Sequence, residues 1–425
     1  MAYGVNQVRI SYDMAENPHI LITFPTGHRL LCMQMRTSVG CFGFTVRAGS
    51  RYEFTPRTHG LAHFVEHTIF KGTAKRHSWH INSRMEAVGG ELNAFTTKED
   101  ITFYTVFPKG NLARGAELLA DLASSPSFPE KELMKEREVV REEISSYLDS
   151  PAELVFDEFE NHIFAGSTLG HSILGVEDNL DGFTQQVCRE FVNRMFIPSR
   201  MLLFYGGPES PATAAAIISR HFEKAFGGSD FAEDLSAGIT ARTANEKFAL
   251  SRDTGAHQAH TVIGAEVAAN NPAWRPALAL LTNIIGGPGM NSLLNTELRE
   301  RRGLVYSADA SLAQLSDGGL FTIYFGCALE DRDRCEEIIS RLVNDLQTIP
   351  LSERRLSAAK KQYLGQLVVA GASTEQTILS AANTVLRTDV LQSSAALRAE
   401  IENISSDDIM RAAAQIASMS RLTLC

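Results

Sequence analysis

Two kinds of hydrophobic pattern alternate along the first half of the chain. Alternation of apolar and polar positions with a period of two predicts strands, and a period near 3.6 predicts helices. The predicted strands are residues 8–12, 19–23, 29–35, 40–47, 91–95, 101–107 and 201–206. The predicted helices are those within residues 60–70, 111–123, 129–148, 183–195 and 212–226. Strands and helices are therefore mixed throughout this half.

The second half of the chain repeats the order of the first. The strand at 101–107 and its two following helices match a strand at 320–325 and its two following helices, with an offset near 220 that aligns Tyr104 with Tyr324. A repeat this long indicates duplicated domains and not a solenoid. A polar, glycine-containing segment without periodicity lies between the halves. We therefore expect a first domain at 1–226, a linker at 227–240 and a second domain at 241–425.

Composition narrows the class of protein. A chain of 425 residues with 44% hydrophobic and 21% charged residues is typical of a soluble protein of two or three domains. The net charge of −10 argues against a general nucleic-acid binder. No apolar run reaches the roughly 18 residues of a membrane span, and the N-terminus has no pattern of a secretory signal. Six scattered cysteines without a CxxC pair fit reduced thiols. We expect a cytoplasmic protein that binds neither nucleic acid nor membranes.

The clearest chemical motif is an HxxEH sequence within residues 60–70. Its three polar residues are His63, Glu66 and His67. At about 100° per residue they project from one side of a helix. Two neutral imidazoles can hold a divalent metal, and a neighbouring carboxylate can take a proton from metal-bound water. The helix itself offers no third ligand.

An acidic helix at 129–148 is the candidate source of that ligand. Its apolar stripe is Leu133, Val140, Ile144, Tyr147 and Leu148. Glu138 and Glu142 lie across the helix from Val140, whereas Glu136 and Glu143 share a face that borders the stripe. This favours Glu143 as the third ligand and Glu136 as a supporting carboxylate. The helix alone is equally compatible with four solvent-exposed charges, and that alternative stays open here.

Motif order and spacing together resemble a known family. The HxxEH helix is followed by a strand with the sequence Gly-Gly-Glu-Leu-Asn-Ala-Phe-Thr and by the acidic helix, where Glu143 lies 76 positions after His67. This resembles the inverzincin metallopeptidases of the pitrilysin and insulinase type. Among them it looks like the small bacterial two-domain subunits related to the mitochondrial processing peptidase. The resemblance covers the chain from about residue 21 to its end.

The resemblance implies a substrate-binding strand and two further site residues. In the family the edge strand after the metal helix adds the substrate peptide by main-chain hydrogen bonds, which carries over to Asn93, Ala94 and Phe95. An arginine and a tyrosine seven residues apart reach the bound peptide, a spacing that Arg299 and Tyr306 match. The resemblance assigns Arg299 to the substrate main chain and Tyr306 to the attacked carbonyl. Without it, the 91–95 strand could be internal, and Arg299 could be one of three arginines on a solvated helix end.

The second half lacks the metal motif. A shift of 220 residues puts Asn283, Gly286 and Gly287 where the first half has His63, Glu66 and His67. The corresponding acidic helix has no carboxylate between Arg354 and Glu375. We therefore expect one zinc ion per chain.

The resemblance implies both a fold and a function. The fold is α+β, with two homologous domains that form a clamshell, each an antiparallel-rich sheet with helices packed on one side. The function is that of a zinc-dependent endopeptidase that hydrolyses peptides or unfolded segments inside a closed chamber, with Glu66 as the general base on zinc-bound water. The expected partners are peptide substrates and a second subunit, identical or related. The alternatives are the catalytic subunit of a heteromeric processing protease and a catalytically silent scaffold or binding subunit.

Overall fold

The computed structural model describes residues 8–9, 19–227, 239 and 246–425, and most of the predicted linker at 227–240 lies outside them. The chain forms two compact units of three segments each. The first comprises the described residues of Met1–Ile144, His171–Ala241 and Ala370–Leu391. The second comprises those of Ser145–Gly170, Arg242–Val369 and Gln392–Cys425. Each unit is thus built mainly from one half and takes one segment from the other. The division at 1–226 and 241–425 stays a prediction about the homologous halves.

The strands and helices of the described residues follow the predicted order. The strands are β1 Val8–Arg9, β2 His19–Thr23, β3 Arg29–Gln34, β4 Val39–Val46, β5 Glu91–Thr96, β6 Ile101–Pro108, β7 Met201–Gly207, β8 Ala249–Arg252, β9 Ala259–Val267, β10 Val305–Leu315, β11 Gly318–Cys327 and β12 Ser420–Leu424. The first-half helices are α1 Leu61–Thr68, α2 Ser78–Glu86, α3 Leu112–Ser124, α4 Glu130–Leu148, α5 Pro151–Ile163, α6 Gln185–Met195 and α7 Pro211–Phe226. The second-half helices are α8 Arg275–Gly286, α9 Arg332–Thr348, α10 Glu353–Ala370, α11 Thr374–Thr388, α12 Ser394–Asn403 and α13 Ser406–Gln415.

The sheet of the first unit has β5 at one end. Its order is β1-β2-β3-β7-β4-β6-β5. Neighbouring strands are antiparallel except for the parallel pair of β3 and β7. Within the described residues β5 pairs with β6 alone. Among the described residues it is therefore an edge strand and not an internal one.

The sheet of the second unit repeats this arrangement. Its order is β10-β11-β9-β12-β8, again with one parallel pair, β12 and β8. Strand for strand this corresponds to β5-β6-β4-β7-β3 of the first unit, including the position of the parallel pair. The predicted α+β fold of two similar domains is confirmed.

Helices cover both faces of each sheet, whereas the sequence predicts helices on one side only. In the first unit the main core lies on one face, and α11 packs on the other against Leu31, Leu202 and Phe204. In the second unit α5 packs in the same way against β9 and β12. The physical reason is visible in β7, whose residues are all buried. A strand that is apolar on both sides needs cover on both.

No helix in the described residues is long and apolar enough to cross a membrane.

Candidate metal centre and peptide-binding edge

Helix α1 presents its apolar face to the core and its polar face to the site. Leu61, Phe64 and Val65 are buried in the first unit's main core. The HxxEH residues therefore share the opposite side, as the helical spacing predicts. His63 is itself buried, with an exposed fraction of 6%, and the rings of His63 and His67 lie 4.5 Å apart.

Helix α4 brings Glu143 to both histidines. Leu133, Val140 and Ile144 are buried and fix the rotation of the helix. With this rotation Glu143 Oε2 lies 3.4 Å from His67 Nε2 and 3.7 Å from His63 Nε2. Glu138 and Glu142 are exposed, as expected, and Glu138 pairs with Arg141 on its own helix. The structure thus brings together the three residues that the sequence selects.

The geometry and chemistry of these three residues fit a zinc ion. One ligand atom from each lies within 4.8 Å of the others, and within the described residues no other such group of His, Cys, Asp and Glu occurs. Tetrahedral zinc with bonds of about 2.1 Å separates its ligands by about 3.4 Å, close to the observed distances. Burial, aided by the charge of His67, lowers the pKa of His63 to about 3, so its ring is neutral.

The hydrogen bonding of His63 supports the same conclusion. Its Nδ1 is buried and has no hydrogen-bond partner within the described residues. Its Nε2 is too far from Glu143, at 3.7 Å, for a hydrogen bond. A buried polar ring without partners is costly. A metal bound at Nε2 gives that nitrogen a partner.

A second carboxylate supports His67 from behind. Glu136 Oε1 lies 3.1 Å from His67 Nδ1, and its Oε2 lies 2.7 Å from Lys71 Nζ. Burial disfavours the charged form of Glu136, but the hydrogen bonds to His67 and Lys71 outweigh it and lower the pKa. Burial also opposes a charge on His67, yet the bond to Glu136 and nearby carboxylates raise its pKa. Glu136 therefore orients the ring so that Nε2 faces Glu143.

Glu66 lies between the metal-ligand group and the edge strand. It accepts a hydrogen bond at Oε2 from the Thr96 hydroxyl, at 2.9 Å, on the last residue of β5. Burial, with a smaller contribution from Glu143, raises its pKa in spite of His67 and Thr96. A carboxylate with a raised pKa suits a general base near neutral pH. Thr96 is not among the site residues predicted from the sequence. Side chains alternate along a strand, and Leu92 and Ala94 pack on the core, so Thr96 lies on the same face of β5, toward α1.

The three predicted substrate contacts lie on the free edge strand. Asn93 and Ala94 are half-buried, and Phe95 is exposed and packs edge-on against Tyr104 at 6.3 Å. The main-chain groups on the outer edge of β5 pair with no strand of the described residues. An unpaired edge of this kind can accept an added strand.

Arg299 and Tyr306 lie in the second unit, in irregular backbone. The helix that contains Arg299 has a π-helical segment at Asn295–Glu300. Glu297 forms ion pairs with Arg301 and Arg302, whereas no ion pair of Arg299 occurs within the described residues. This distinguishes Arg299 from the other two arginines of the helix end.

Tyr306 occupies a β-bulge at the start of β10. Val305 pairs with Cys327 and Ser307 with Gly326, so Tyr306 is the extra residue between them. Its side chain is 83% exposed. Bulges re-aim side chains and are frequent near functional sites.

Two residues near α1 are absent from the sequence analysis. Glu53 accepts backbone hydrogen bonds from Gly60 and Ala62 at 2.9 and 2.7 Å. His171 Nε2 lies 3.1 Å from Glu53 Oε2, and the His171 ring stacks on His59. No local pattern signals a contact between residues 118 positions apart. His59 is therefore held in this stack.

Together, this fold and site define an HxxEH metallopeptidase, and comparison with known proteins agrees. A model of the insulinase family (peptidase family M16) matches residues 34–177, and a model of the M16 inactive domain matches residues 182–363. The chain belongs to the insulinase family of peptidases. The predicted family and the class of zinc metallopeptidase are confirmed, and the second match agrees with a second half that lacks the motif.

Several relatives resemble the chain over most of its length. An uncharacterized zinc protease of Bacillus subtilis, YmxG, is 30% identical over 333 residues, covering 78% of this chain and 79% of that protein. An uncharacterized zinc protease of Streptomyces coelicolor is 33% identical over 310 residues, covering 72% and 67%. The crystal structure of a protease from Helicobacter pylori has a TM-score of 0.86 at 21% identity, covering 96% of this chain and 99% of that one. At that identity the last likeness shows the fold.

Proposed function

We propose that the protein is a zinc-dependent endopeptidase that hydrolyses peptides or unfolded segments. The observation that carries the proposal is the convergence of His63, His67 and Glu143, with Glu66 beside them. The curated relatives in Bacillus and Streptomyces, described as zinc proteases, support the choice of metal. Because no second group of this kind occurs in the described residues, the proposed stoichiometry is one zinc per chain.

His63 Nε2, His67 Nε2 and Glu143 Oε2 would hold the ion. When bound, zinc supplies a Lewis acid that makes water acidic near neutral pH and polarises the peptide carbonyl. Glu66 takes the proton of the attacking water. Because Oε2 of Glu66 already accepts the Thr96 hydroxyl, Oε1 is the atom that receives it. Glu66 then delivers the proton to the leaving amine, as a general base does in the second half of hydrolysis.

The proposed substrate lies along β5 as an added strand. Main-chain groups at Asn93, Ala94 and Phe95 would pair with it, which selects extended segments over folded proteins. For Tyr306 the proposed role is a hydrogen bond to the carbonyl under attack, and for Arg299 it is a contact to the substrate main chain. The exposure of Tyr306 on its bulge and the absence of an ion pair at Arg299 in the described chain support these roles.

The test combines metal analysis with peptide hydrolysis. His67→Ala should lose both zinc and activity, because it removes one of three ligands. Glu66→Gln should keep its zinc and lose roughly a hundredfold to ten-thousandfold in kcat, the scale of general-base catalysis. Glu142→Gln is the matched control, since that carboxylate is exposed on the far side of α4. The proposal fails if wild-type protein carries no stoichiometric metal and added zinc, manganese or cobalt gives no hydrolysis.

The intact constellation argues against a catalytically silent subunit. A silent relative has no reason to keep Glu66 and its Thr96 partner together with three convergent ligands. The clamshell chamber, the homodimeric or heterodimeric assembly, the processing role and the cytoplasmic location stay predictions.

A further inference from the structure

Helix α1 begins without a cap from its own sequence. Its N-cap residue, Gly60, has φ 95° and forms no side-chain hydrogen bond to the first turn. The first N–H groups of a helix need acceptors from elsewhere. His63 is the third residue of the helix, so whatever holds the first turn also sets the position of this ligand.

Glu53 supplies the missing acceptors. Its Oε2 accepts the Gly60 N–H at 2.9 Å, and its Oε1 accepts the Ala62 N–H at 2.7 Å. The Glu53 side chain is 1% exposed, so water does not compete for these bonds. Burial raises the pKa of Glu53 to about 8 in spite of these backbone hydrogen bonds. The two backbone N–H groups point at its two oxygens, which fixes one geometry of the first turn. The carboxylate thus holds the two residues that flank the start of α1.

His171 fixes Glu53 from the other side. The ring nitrogen Nε2 lies 3.1 Å from Glu53 Oε2 and shares a hydrogen bond with it. The His171 ring stacks on His59 with centroids 3.7 Å apart and an interplanar angle of 5°. Lys98 Nζ donates to the His171 carbonyl at 2.6 Å. His171 is therefore held on three sides.

The loop that carries His171 also touches the start of α1 directly. A Cβ atom added at Gly60 would lie 2.7 Å from the Leu174 carbonyl oxygen, and one added at Gly175 would lie 2.4 Å from the His59 carbonyl oxygen. Neither position has room for a side chain. Asn179 Nδ2 donates to the His59 carbonyl at 3.0 Å. The segment of residues 171–179 thus closes on the turn that precedes the ligand helix.

We propose that Glu53 and His171 are positioning residues of the metal centre: their hydrogen bonds fix the first turn of α1, and through it the place of His63 relative to His67 and Glu143. The inference rests on the proposed function, because it concerns the zinc that those residues would hold. Partners beyond the ligands of a metal commonly change its affinity or the activity about tenfold to a hundredfold. Here Glu53 and His171 would act through the backbone of α1 and not through a hydrogen bond to the ring of a ligand.

Two conservative variants test it. Glu53→Gln keeps the size of the side chain but directs an amide N–H at a backbone donor. His171→Phe keeps a ring to stack on His59 and removes the hydrogen-bond partner of Glu53. Ile218→Val, in the fully buried core position of α7, is the control for a loss of stability alone. For each protein we would measure the zinc dissociation constant by chelator competition, the visible spectrum of the cobalt form, the Tm of the metal-free protein, and kcat and KM.

Glu53→Gln and His171→Phe should raise the zinc dissociation constant roughly tenfold to a hundredfold and alter the cobalt spectrum. With saturating zinc they should lower kcat and leave KM near wild type, because β5 is unchanged. Ile218→Val should lower Tm alone. The inference is overturned if both site variants behave as Ile218→Val does. If Glu53→Gln does not fold, the measurements on His171→Phe alone test the inference.

These outcomes separate the inference from the function on which it rests. Wild-type protein without zinc or hydrolysis refutes the proposed function. Wild-type protein with both, beside site variants of unchanged zinc affinity and cobalt spectrum, refutes the positioning role alone.

Discussion

The hydrogen bond between Thr96 and Glu66 offers the sharpest test of the proposed base. Thr96→Val replaces the hydroxyl by a methyl group of nearly the same size, so β5 and its packing are kept. Glu66 Oε2 then loses its one side-chain donor at 2.9 Å. The carboxylate is then free to rotate away from the orientation in which Oε1 would receive the proton of the attacking water. We expect turnover to fall while zinc and substrate binding remain.

The magnitude follows from the strength of this bond. A hydrogen bond to a charged group contributes about 1.5–3 kcal/mol, and Glu66 is half-buried. If this energy holds the carboxylate in its reactive orientation, each 1.36 kcal/mol corresponds to about tenfold in rate. The expected loss in kcat is therefore roughly tenfold to 150-fold. KM should change little, because the proposed pairing of the substrate is with the main chain of β5 and not with the Thr96 hydroxyl.

The assay is steady-state hydrolysis of a fluorogenic peptide with zinc analysis of the same samples. Thr96→Ser keeps the hydroxyl and should stay within a few-fold of wild type, whereas Thr96→Val should not. A Thr96→Val protein with wild-type kcat would show that the bond plays no part in turnover. A Thr96→Ser protein as impaired as Thr96→Val would show that the effect comes from packing of the strand.

Three further predictions follow from other parts of the structure. Glu143→Gln should lower bound zinc well below one per chain, whereas Glu142→Gln should leave it unchanged; metal analysis of both would expose a wrong helix face if the effects were equal. Tyr306→Phe removes one hydroxyl and should lower kcat roughly tenfold to a thousandfold, with equal kcat in both proteins as the contrary result. Burial lowers the pKa of His28 from 6.5 to about 4, so below pH 6.5 the unfolded chain binds a proton that the folded chain does not. As the pH drops from 6.5 to 4, wild type should therefore lose about 3 kcal/mol more stability than His28→Gln does, as measured by denaturant unfolding of both; parallel pH profiles would refute it.

The pattern of the sequence predicts most of the secondary structure because burial dictates it locally. The alternation in β4 and β6 and the apolar stripe of α4 mark the surfaces that must leave water, and the structure buries them. The helix that contains Arg299 differs from a regular α-helix. There the backbone takes a π-helical turn before Gly303, whose φ is 61°. The spacing of apolar residues does not distinguish a short π-helical segment from an α-helix.

The residues of the metal site could also be predicted from local sequence patterns. His63, Glu66 and His67 share a helix, so their common face follows from helical geometry alone. Glu143 could be preferred over Glu142 because Val140 and Ile144 show which side of α4 is buried. That the two helices meet, with Glu143 Oε2 at 3.4 Å from His67 Nε2, depended on the resemblance to a family.

Most elements of the first half and the chemistry of the HxxEH helix could be predicted from the sequence, since each depends on residues close together in the chain, and the duplication follows from comparing two such patterns. The structure was needed to show that β5 lies at an edge, that α11 and α5 cover the second faces of the two sheets, and that Glu53 and His171 contact each other at the start of α1. These features join residues far apart in sequence. Their contacts arise from the packing of whole elements, which no local period of apolar residues records.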